Sequence, residues 1–503
     1  MPGSATGGGF LLVLAIVLPV VGVLLSLALG GRHAERIALI LMPAGLAVAV
    51  AIAAGVWRTD NVLQYFVGSW DPPLGVAFRA DGLSAAMLVT SAVLICGIGL
   101  FARAQFLSPQ EGETRTPLVF WTLLLAVWGA LNAVFIGGDL FNLYVALELL
   151  TFAAVPLVSL DGRAETLAAA LRYLLFALFG SILYLLGAVL LYGAYGTLDI
   201  VLLSRSIHAG PIAWAAISLM TAGLLAKAAL YPLHLWLPPA HAGAPAPASA
   251  ILSGLVVKAP FFLVVRLWFD VMPGLAEQAA AQVLGILGAA AILFGSVVAL
   301  RQARLKLLIA YSTVAQIGYL FLMFPLAVRL ETGQPWSTAA WTGGVLQAIS
   351  HAFAKAAMFM AAGLIAEALG HDRISGLAGI GRALPITVFA FGLGGLSLMG
   401  LPPSGGFVAK AMLLTAAVAA GQWWWALVVL AGGLLAGGYI FLVLARALAD
   451  ASEPLRLLSA ISPSRQAVVV ALALCAVLLG FVPLRPLELL QIGRPDTLAA
   501  GFR

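Results

Sequence analysis

The chain has 503 residues, of which 63% are hydrophobic and 9% charged, and a formal net charge of +6. The low charged fraction and the mean hydropathy of +1.08 exclude a soluble globular domain, because about 25% of the residues in such domains are charged. A net positive charge suggests nucleic acid binding in a soluble protein, but in a membrane protein it belongs to the loops between spans. The composition therefore predicts a polytopic membrane protein whose surroundings are the lipid bilayer, with no nucleic acid partner.

Apolar windows of bilayer-spanning length recur along the whole chain. They predict an all-α membrane fold with about fourteen transmembrane helices in a single membrane domain, 1–503. The predicted spans lie near 10–29, 37–57, 82–102, 118–137, 139–160, 167–193, 212–236, 246–269, 278–300, 306–328, 341–368, 384–419, 423–447 and 466–483. Because no Lys or Arg precedes Phe10, we expect the first span to be retained rather than cleaved as a signal peptide.

Two of these spans contain residues that break helices. The seventh runs into Tyr231-Pro232-Leu233-His234-Leu235-Trp236-Leu237-Pro238-Pro239, and the twelfth contains Gly400-Leu401-Pro402-Pro403. Proline removes a backbone donor, so neither span can keep an unbroken hydrogen-bond ladder. Irregular backbone at membrane depth is tolerated only where protein or water covers it. Each break lies near a buried lysine, so we expect protein or water to cover it.

The two breaks are arranged as an inverted repeat would arrange them. Lys227 precedes its Leu-Pro-Pro sequence, Lys410 follows its own, and the broken spans stand five helices apart. This order predicts two inverted five-helix repeats, 118–270 (helices 4–8) and 277–447 (helices 9–13). Helices 1–3 in 1–117 and helix 14 with its tail in 448–503 would flank them. The alternative is coincidence in a chain rich in Gly and Pro.

Buried charges are the clearest functional signal. Lys227, Lys258, Lys355 and Lys410 lie in apolar spans, as does Glu148. An ion at the bilayer centre costs about 2.5 to 3.5 kcal/mol on insertion scales, so such residues mark ion pathways or proton relays. We expect Lys227 to pair with Glu148, whose carboxylate would control the proton affinity of the lysine. The alternative is a static interhelical ion pair.

Polar residues at helical spacing extend this pathway. Gln347, His351 and Lys355 recur every four residues, and a histidine beside a buried lysine suits proton relay. Ser312 and Gln316, also four apart, would place a hydroxyl, an amide and water between Lys258 and His351. The remaining candidates, His234 and His241, flank the first break as proton uptake groups or as helix-end hydrogen bonders.

Loop charges predict the orientation. One side of the membrane receives more Lys and Arg than the other, most evidently at Arg301, Arg304 and Lys306, whereas residues such as Arg79 and Arg266 fall on the opposite side. By the positive-inside rule the richer side is cytoplasmic, which places both termini outside the inner (plasma) membrane. No phosphate-binding loop, dinucleotide fingerprint or cysteine cluster occurs. We expect no cofactor, no metal and no catalytic residue in this chain.

Three sequence blocks resemble the antiporter-like, proton-conducting membrane subunits. They are Lys227 through the Pro232-to-Pro238 segment and His241 to Lys258, Ala310-Tyr311-Ser312-Thr313-Val314-Ala315-Gln316-Ile317-Gly318-Tyr319, and Gly400-Leu401-Pro402-Pro403 to Lys410. That family comprises subunits of respiratory complex I, large subunits of Mrp cation/proton antiporters and membrane subunits of energy-converting hydrogenases. The resemblance covers about Asp81 to Lys410. It implies fourteen helices in inverted repeats, with the functional acid at Glu148, the lysines at Lys227, Lys258 and Lys410, and the eleventh-helix histidine at His351.

Departures from the family pattern indicate the subtype. Pro239 stands where the family often has aspartate, and Gln316 where some complex I members carry histidine. Lys410, which is glutamate in the middle complex I subunit, and the lack of a long lateral helix favour similarity to the D-type subunit of Mrp antiporters. The resemblance thus implies a proton-translocating subunit of a multisubunit Na⁺(K⁺)/H⁺ antiporter, acting with other membrane subunits on protons and Na⁺.

Two alternative functions remain from the sequence. One is a proton-pumping subunit of a complex I-like NADH:quinone oxidoreductase or a membrane-bound hydrogenase, whose redox chemistry would lie in partner chains. The other is a structural or solute-binding membrane subunit with static ion pairs.

Overall fold

A computed structural model describes residues 6–106, 115–272, 278–328, 335–451, 455–482 and 487–494. These residues are mostly helical, as predicted. The N-terminal half contains α1 Phe10–Leu29, α2 Gly31–Thr59, α3 Gly82–Ala102, α4 Arg115–Ile136, α5 Leu140–Val158, α6 Ala164–Tyr195, α7 Ile200–Ser206, α8 Pro211–Lys227, α9 Leu237–Gly243, α10 Ala246–Ile251 and α11 Lys258–Val265. The C-terminal half contains α12 Gln278–Leu300, α13 Leu305–Phe321, α14 Met323–Ala327, α15 Pro335–Leu369, α16 Ile380–Ala383, α17 Pro385–Met399, α18 Gly405–Ala419, α19 Trp423–Leu448 and α20 Pro463–Leu478.

Within the described ranges, twelve helical segments are long and apolar enough to cross a membrane, and α8, α17 and α18 are shorter apolar helices. The polytopic all-α fold class is confirmed, while the count of fourteen stays a prediction. One small departure is a two-stranded hairpin, β1 Leu63–Phe66 with β2 Ala77–Ala80, between α2 and α3. Its strands are four residues each, too short for an alternating pattern to stand out from a loop.

The first predicted break lies between α8 and α9. The helix ends at Lys227, short of the predicted end of the span at residue 236, because Ala229 adopts a left-handed conformation with φ of 57°. The indole of Trp236 donates to the Ala226 carbonyl at 3.0 Å, which satisfies one of the acceptors that a helix end leaves free. Pro238 and Pro239 then occupy the first turn of α9, where proline is tolerated.

The second break separates α17 from α18 at residues 400–404. Gly400 ends α17 in the left-handed conformation, φ 79°, and Ser404 caps α18 by accepting from the Phe407 amide at 3.1 Å. Each break contains a cis peptide bond, Tyr231–Pro232 and Pro402–Pro403. The prolines named for each break therefore fall at interruptions of a helix, as expected.

The predicted eighth span is not a simple α-helix. Its first segment, α10, continues into a π-helical segment, Leu252–Val256, and α11 continues into a second one, Arg266–Val271. The whole hydropathic window of Ala246–Val271 is buried, in contrast to α1 and α2, whose windows are 28% buried. This segment is therefore central, and α1 and α2 are peripheral.

Glycine pairs set the closest helix crossings. A Cβ added at Gly223 of α8 would lie 2.3 Å from the Gly180 carbonyl oxygen of α6, and one at Gly318 of α13 would lie 2.3 Å from the Gly288 carbonyl oxygen of α12. Small residues allow such backbone contact between membrane helices. The first crossing fixes α8, and therefore Lys227, against the bundle.

Candidate functional site

The site is a row of buried polar side chains that crosses the interior of the bundle. It begins with the predicted ion pair: Lys227 Nζ lies 3.0 Å from Glu148 Oε1, with side-chain exposures of 5% and 15%. Lys227 also donates to the Thr151 hydroxyl at 3.1 Å, and the Ser181 hydroxyl donates to Glu148. The pairing of Glu148 with Lys227 is therefore observed, with two hydroxyls around it that the sequence reasoning missed.

Helix position favours a cation at this point. Lys227 is in the last turn of α8, where the helix dipole and the free carbonyls attract positive charge. A small cavity adjoins Lys227, and its other walls include Thr151, Tyr173, Val256 and Pro260. The lysine thus lies between a carboxylate and a small space that borders the segment carrying Lys258.

Lys258 is fully buried, with 0% exposure. It begins α11, and its ammonium donates back to the Ser253 carbonyl inside the π-helical segment. The Ser253 hydroxyl in turn lies 2.9 Å from the Thr313 hydroxyl of α13. Lys258 is connected to α13 through Ser253 and Thr313, a connection that the sequence reasoning missed. The predicted placement of Ser312 and Gln316 between Lys258 and His351 stays a prediction.

Lys355 is also fully buried, and it meets α13 from the neighbouring helix α15. Its ammonium donates to the Ser312 hydroxyl and, at 2.9 Å, to the Ile309 carbonyl. The same carbonyl accepts from the Thr313 hydroxyl at 2.9 Å. One turn of α13 therefore links the Lys258 and Lys355 ends through shared hydrogen bonds.

The row continues through two amides to the last lysine. Gln347 Nε2 donates to Gln316 Oε1 at 2.9 Å, and Gln316 Nε2 donates to the Leu398 carbonyl at 3.1 Å. Lys410 Nζ donates to that same carbonyl at 2.5 Å and lies 4.1 Å from the centre of the Tyr319 ring. Leu398 is in the last turn of α17, so the ammonium group of Lys410 lies at the carboxyl end of a half-helix. Lys227 is itself in the last turn of a half-helix, α8, and its ammonium group contacts α5.

The histidines are buried with free ring nitrogens. His351 lies between Gln347 and Lys355 along α15, and both of its ring nitrogens lack a partner within the described ranges. The same holds for His241, whose ring stacks on Phe359 with centroids 4.4 Å apart. His234 stacks on Tyr231 outside the row. Each free nitrogen can accept or release a proton without breaking a hydrogen bond within the chain.

The second charged cluster in the interior lies apart from this row. Arg266 contacts Asp81 at 2.5 Å and Asp270 at 2.6 Å, and all three are at most 9% exposed. The prediction that Arg266 is a loop charge is wrong, because the π-helical segment turns this guanidinium inward. Among the described residues, no group of three or more His, Cys, Asp or Glu side chains has the arrangement of a metal site.

The sequence profile of the family described as NADH:quinone oxidoreductase/Mrp antiporter, transmembrane, matches residues 137–436. The chain belongs to this family. The matched region contains every residue of the row from Glu148 to Lys410, and the resemblance stated from the three sequence blocks is confirmed. The proteins that are similar to this chain include subunits of NADH-quinone oxidoreductases and of Na⁺/H⁺ antiporters.

Two relatives illustrate them. The N-type subunit of NADH-quinone oxidoreductase from Desulforudis audaxviator is 34% identical over 416 residues, covering 81% of this chain and 80% of that protein. The D-type subunit of the Na⁺/H⁺ antiporter from Alkalihalophilus pseudofirmus is 28% identical over 412 residues, covering 80% of each chain. Among solved structures, a chain of the Mrp complex from Dietzia sp. DQ12-45-1b is 24% identical, with a TM-score of 0.87 over 98% of this chain and 99% of that chain. The fold is therefore the fold of these membrane subunits.

Proposed function

We propose that this chain is the proton-translocating subunit of a multisubunit Na⁺(K⁺)/H⁺ antiporter. The observation that carries the proposal is the buried row itself, in which hydrogen bonds connect Lys258 to Lys355 and Gln316 to Lys410 through the carbonyls of Ile309 and Leu398. Buried lysines in such number have no structural advantage, because replacing a buried ion by an apolar residue of similar volume is often neutral or stabilising. A transport role explains why they are present.

In the proposed mechanism a proton is loaded onto Lys227, and Glu148 controls its release. Separation of the pair removes the charge that favours the protonated lysine, so the proton moves on. It passes to Lys258, moves through water molecules and His351 with Lys355 to Lys410, and leaves on the other side of the membrane. His241 and His234 are the uptake groups. Coupling to Na⁺ or K⁺ movement takes place in partner subunits.

The arrangement in the membrane is part of the proposal. The two breaks belong to inverted repeats, 118–270 and 277–447. Lys227 is in the last turn of the half-helix α8, and Lys410 donates to a carbonyl in the last turn of the half-helix α17. The basic loops face the cytoplasm, and both termini lie outside the plasma membrane. The partners are other membrane subunits, as the names of the relatives imply for their own complexes.

A second candidate is the proton-pumping subunit of a complex I-like or hydrogenase assembly. The 34% identity to an NADH-quinone oxidoreductase subunit favours it. The same row would then move protons, while electrons travel in other chains. Purification of the native complex separates the two candidates, since redox subunits with iron–sulfur clusters or flavin co-purify only in the second.

Proton flux in inverted vesicles that contain the whole native complex tests the shared core of both candidates. Wild type is compared with Lys227→Ala and Glu148→Ala, with assembly checked by pull-down. Arg446→Ala is the matched control, because Arg446 is an exposed basic residue outside the row. We expect flux to be lost in the first two variants and kept in the control. Full flux in Lys227→Ala with an intact complex would refute the pathway.

A further inference from the structure

A polar cavity lies at the membrane surface beside the first break and is not used by the proton row. Its volume is about 370 Å³, and its walls are the first turns of α6 and the helix α9. Ala168 and Ala169 of α6 form one wall, and their small side chains leave the space open. The charged side chains that line it are Arg163, Arg172, Arg304 and Glu165. The lining thus carries three guanidinium groups and one carboxylate, and its attraction for an anion depends on which guanidinium groups are already paired.

The three arginines differ in the ion pairs and hydrogen bonds that they already form. Arg163 pairs with Asp161, and Arg304 pairs with Asp372 at 2.9 Å. Each also has a terminal nitrogen near a carbonyl of α9, Arg163 to Gly243 at 3.3 Å and Arg304 to Ala242 at 3.5 Å. Arg172 has neither an ion pair nor a hydrogen bond anywhere in the described part of the chain. It is the guanidinium left free to bind a ligand.

The cavity continues into a surface that faces the acyl chains. Beside Arg172 on α6, the side chains of Leu167, Leu171 and Leu175 are exposed by 52%, 56% and 59%, and their four-residue spacing makes them one stripe. Arg172 is eight residues beyond the start of α6 at Ala164, roughly 12 Å along the helix. A long basic side chain at that depth extends toward the headgroup layer. The polar cavity matches the headgroup of a lipid, and the apolar stripe matches its acyl chains.

We propose that this cavity binds the phosphate headgroup of an anionic phospholipid, with Arg172 as its principal contact and Arg163 and Arg304 at the rim. The planar guanidinium donates two parallel hydrogen bonds to phosphate oxygens. Basic pockets between membrane helices on the cytoplasmic side are suited to such headgroups. The acyl chains lie along the leucine stripe of α6. The site is independent of the proton mechanism, because none of its residues belongs to the row.

The test uses the purified native complex and photoactivatable phosphatidylglycerol, with labelled peptides mapped by mass spectrometry. We expect label on the first three turns of α6, and about tenfold weaker labelling in Arg172→Gln, the loss expected when one charge-assisted contact is removed. Arg172→Lys should label between wild type and Arg172→Gln, because lysine keeps the charge but cannot donate two parallel hydrogen bonds in the guanidinium geometry. Arg446→Gln, an exposed arginine on another helix, should label like wild type. A thermal melt confirms that each variant is folded.

Three results would overturn the assignment. Equal labelling by photoactivatable phosphatidylcholine would remove the requirement for an anionic headgroup. Displacement of the label by millimolar inorganic phosphate would identify a free anion, rather than a lipid, as the ligand. Absence of label from α6 in the wild-type complex would mean that a partner subunit covers the cavity.

Discussion

The ion pair between Glu148 and Lys227 can be tested by neutralising its members singly and together. The variants are Glu148→Gln, Lys227→Gln and the double replacement. Each single variant leaves one buried charge without its partner 3.0 Å away. Removing one member of a buried pair destabilises by roughly 3 to 5 kcal/mol, because the remaining ion stays desolvated. Thr151 and Ser181 keep one hydrogen bond each to the remaining partner, so we expect the lower end of that range.

The double variant separates stability from transport. Two neutral amides have no charge to desolvate, and they can still bond to the Thr151 and Ser181 hydroxyls. We therefore expect the double variant to lose only about 1 kcal/mol where each single variant loses about 3 kcal/mol, which gives a coupling free energy of roughly 5 kcal/mol in a double-mutant cycle. Proton flux, in contrast, should stay at background in all three variants, because the pair that loads and releases the proton at the start of the row is broken in each of them.

The assay is thermal unfolding of the purified complex, together with proton flux in inverted vesicles. The decisive comparison is the double variant with wild type. Recovery of both stability and flux would show that the charges only hold the helices together, as in a static ion pair. That result would refute the pathway. Recovery of stability alone supports it.

Three further replacements probe other parts of the molecule. Thr151→Val removes the second acceptor of Lys227 without changing side-chain shape. Because a hydrogen bond to a charged group contributes about 1.5 to 3 kcal/mol, proton flux should fall about tenfold or more while the Glu148 contact persists. Unchanged flux would remove Thr151 from the mechanism. Lys355→Met should abolish proton flux and leave the melting temperature equal to or higher than that of wild type, since an apolar residue of similar volume replaces a fully buried ion. A large loss of stability would instead identify Lys355 as structural. Arg266→Met leaves two carboxylates facing each other in a buried site, so we expect destabilisation by roughly 3 to 5 kcal/mol, measured by thermal unfolding. A melting temperature like that of wild type would contradict the paired geometry.

The sequence predicted the parts of this molecule that depend on composition and on single residues. Hydropathy predicted the membrane spans, proline and glycine predicted the two breaks, and the scarcity of acids inside the spans left Glu148 as the natural partner of Lys227. The ends of helices were less predictable. Nothing in the order of residues 228–231 marks Ala229 as left-handed, because alanine rarely adopts that conformation, and the predicted seventh span therefore ran past Lys227.

The hydroxyls and carbonyls around the lysines were the least predictable part. Ser and Thr inside membrane helices usually bond to their own helix, as Thr151 does with the Leu147 carbonyl at 2.9 Å, so their presence in a sequence does not signal a contact with another helix. Ser253 was hidden for a second reason. It lies in a π-helical segment, and the wider turn shifts every later side chain relative to a 3.6-residue pattern. Reasoning from regular spacing therefore named Ser312 and Gln316 near Lys258 but did not name Ser253.

The backbone explains how four ammonium groups can be accommodated with one carboxylate. Lys258, Lys355 and Lys410 each donate to a main-chain carbonyl, those of Ser253, Ile309 and Leu398. The first acceptor is in a π-helical segment, and the last is in the final turn before a helix break. Irregular backbone thus supplies acceptors that a continuous helix would use for itself. A carbonyl oxygen can accept a hydrogen bond from a lysine whether the lysine is charged or neutral. A carbonyl partner therefore tolerates loss of the lysine's proton, whereas a carboxylate partner favours retention of that proton. This difference fits a row in which only Lys227, beside Glu148, must hold its proton until the pair separates.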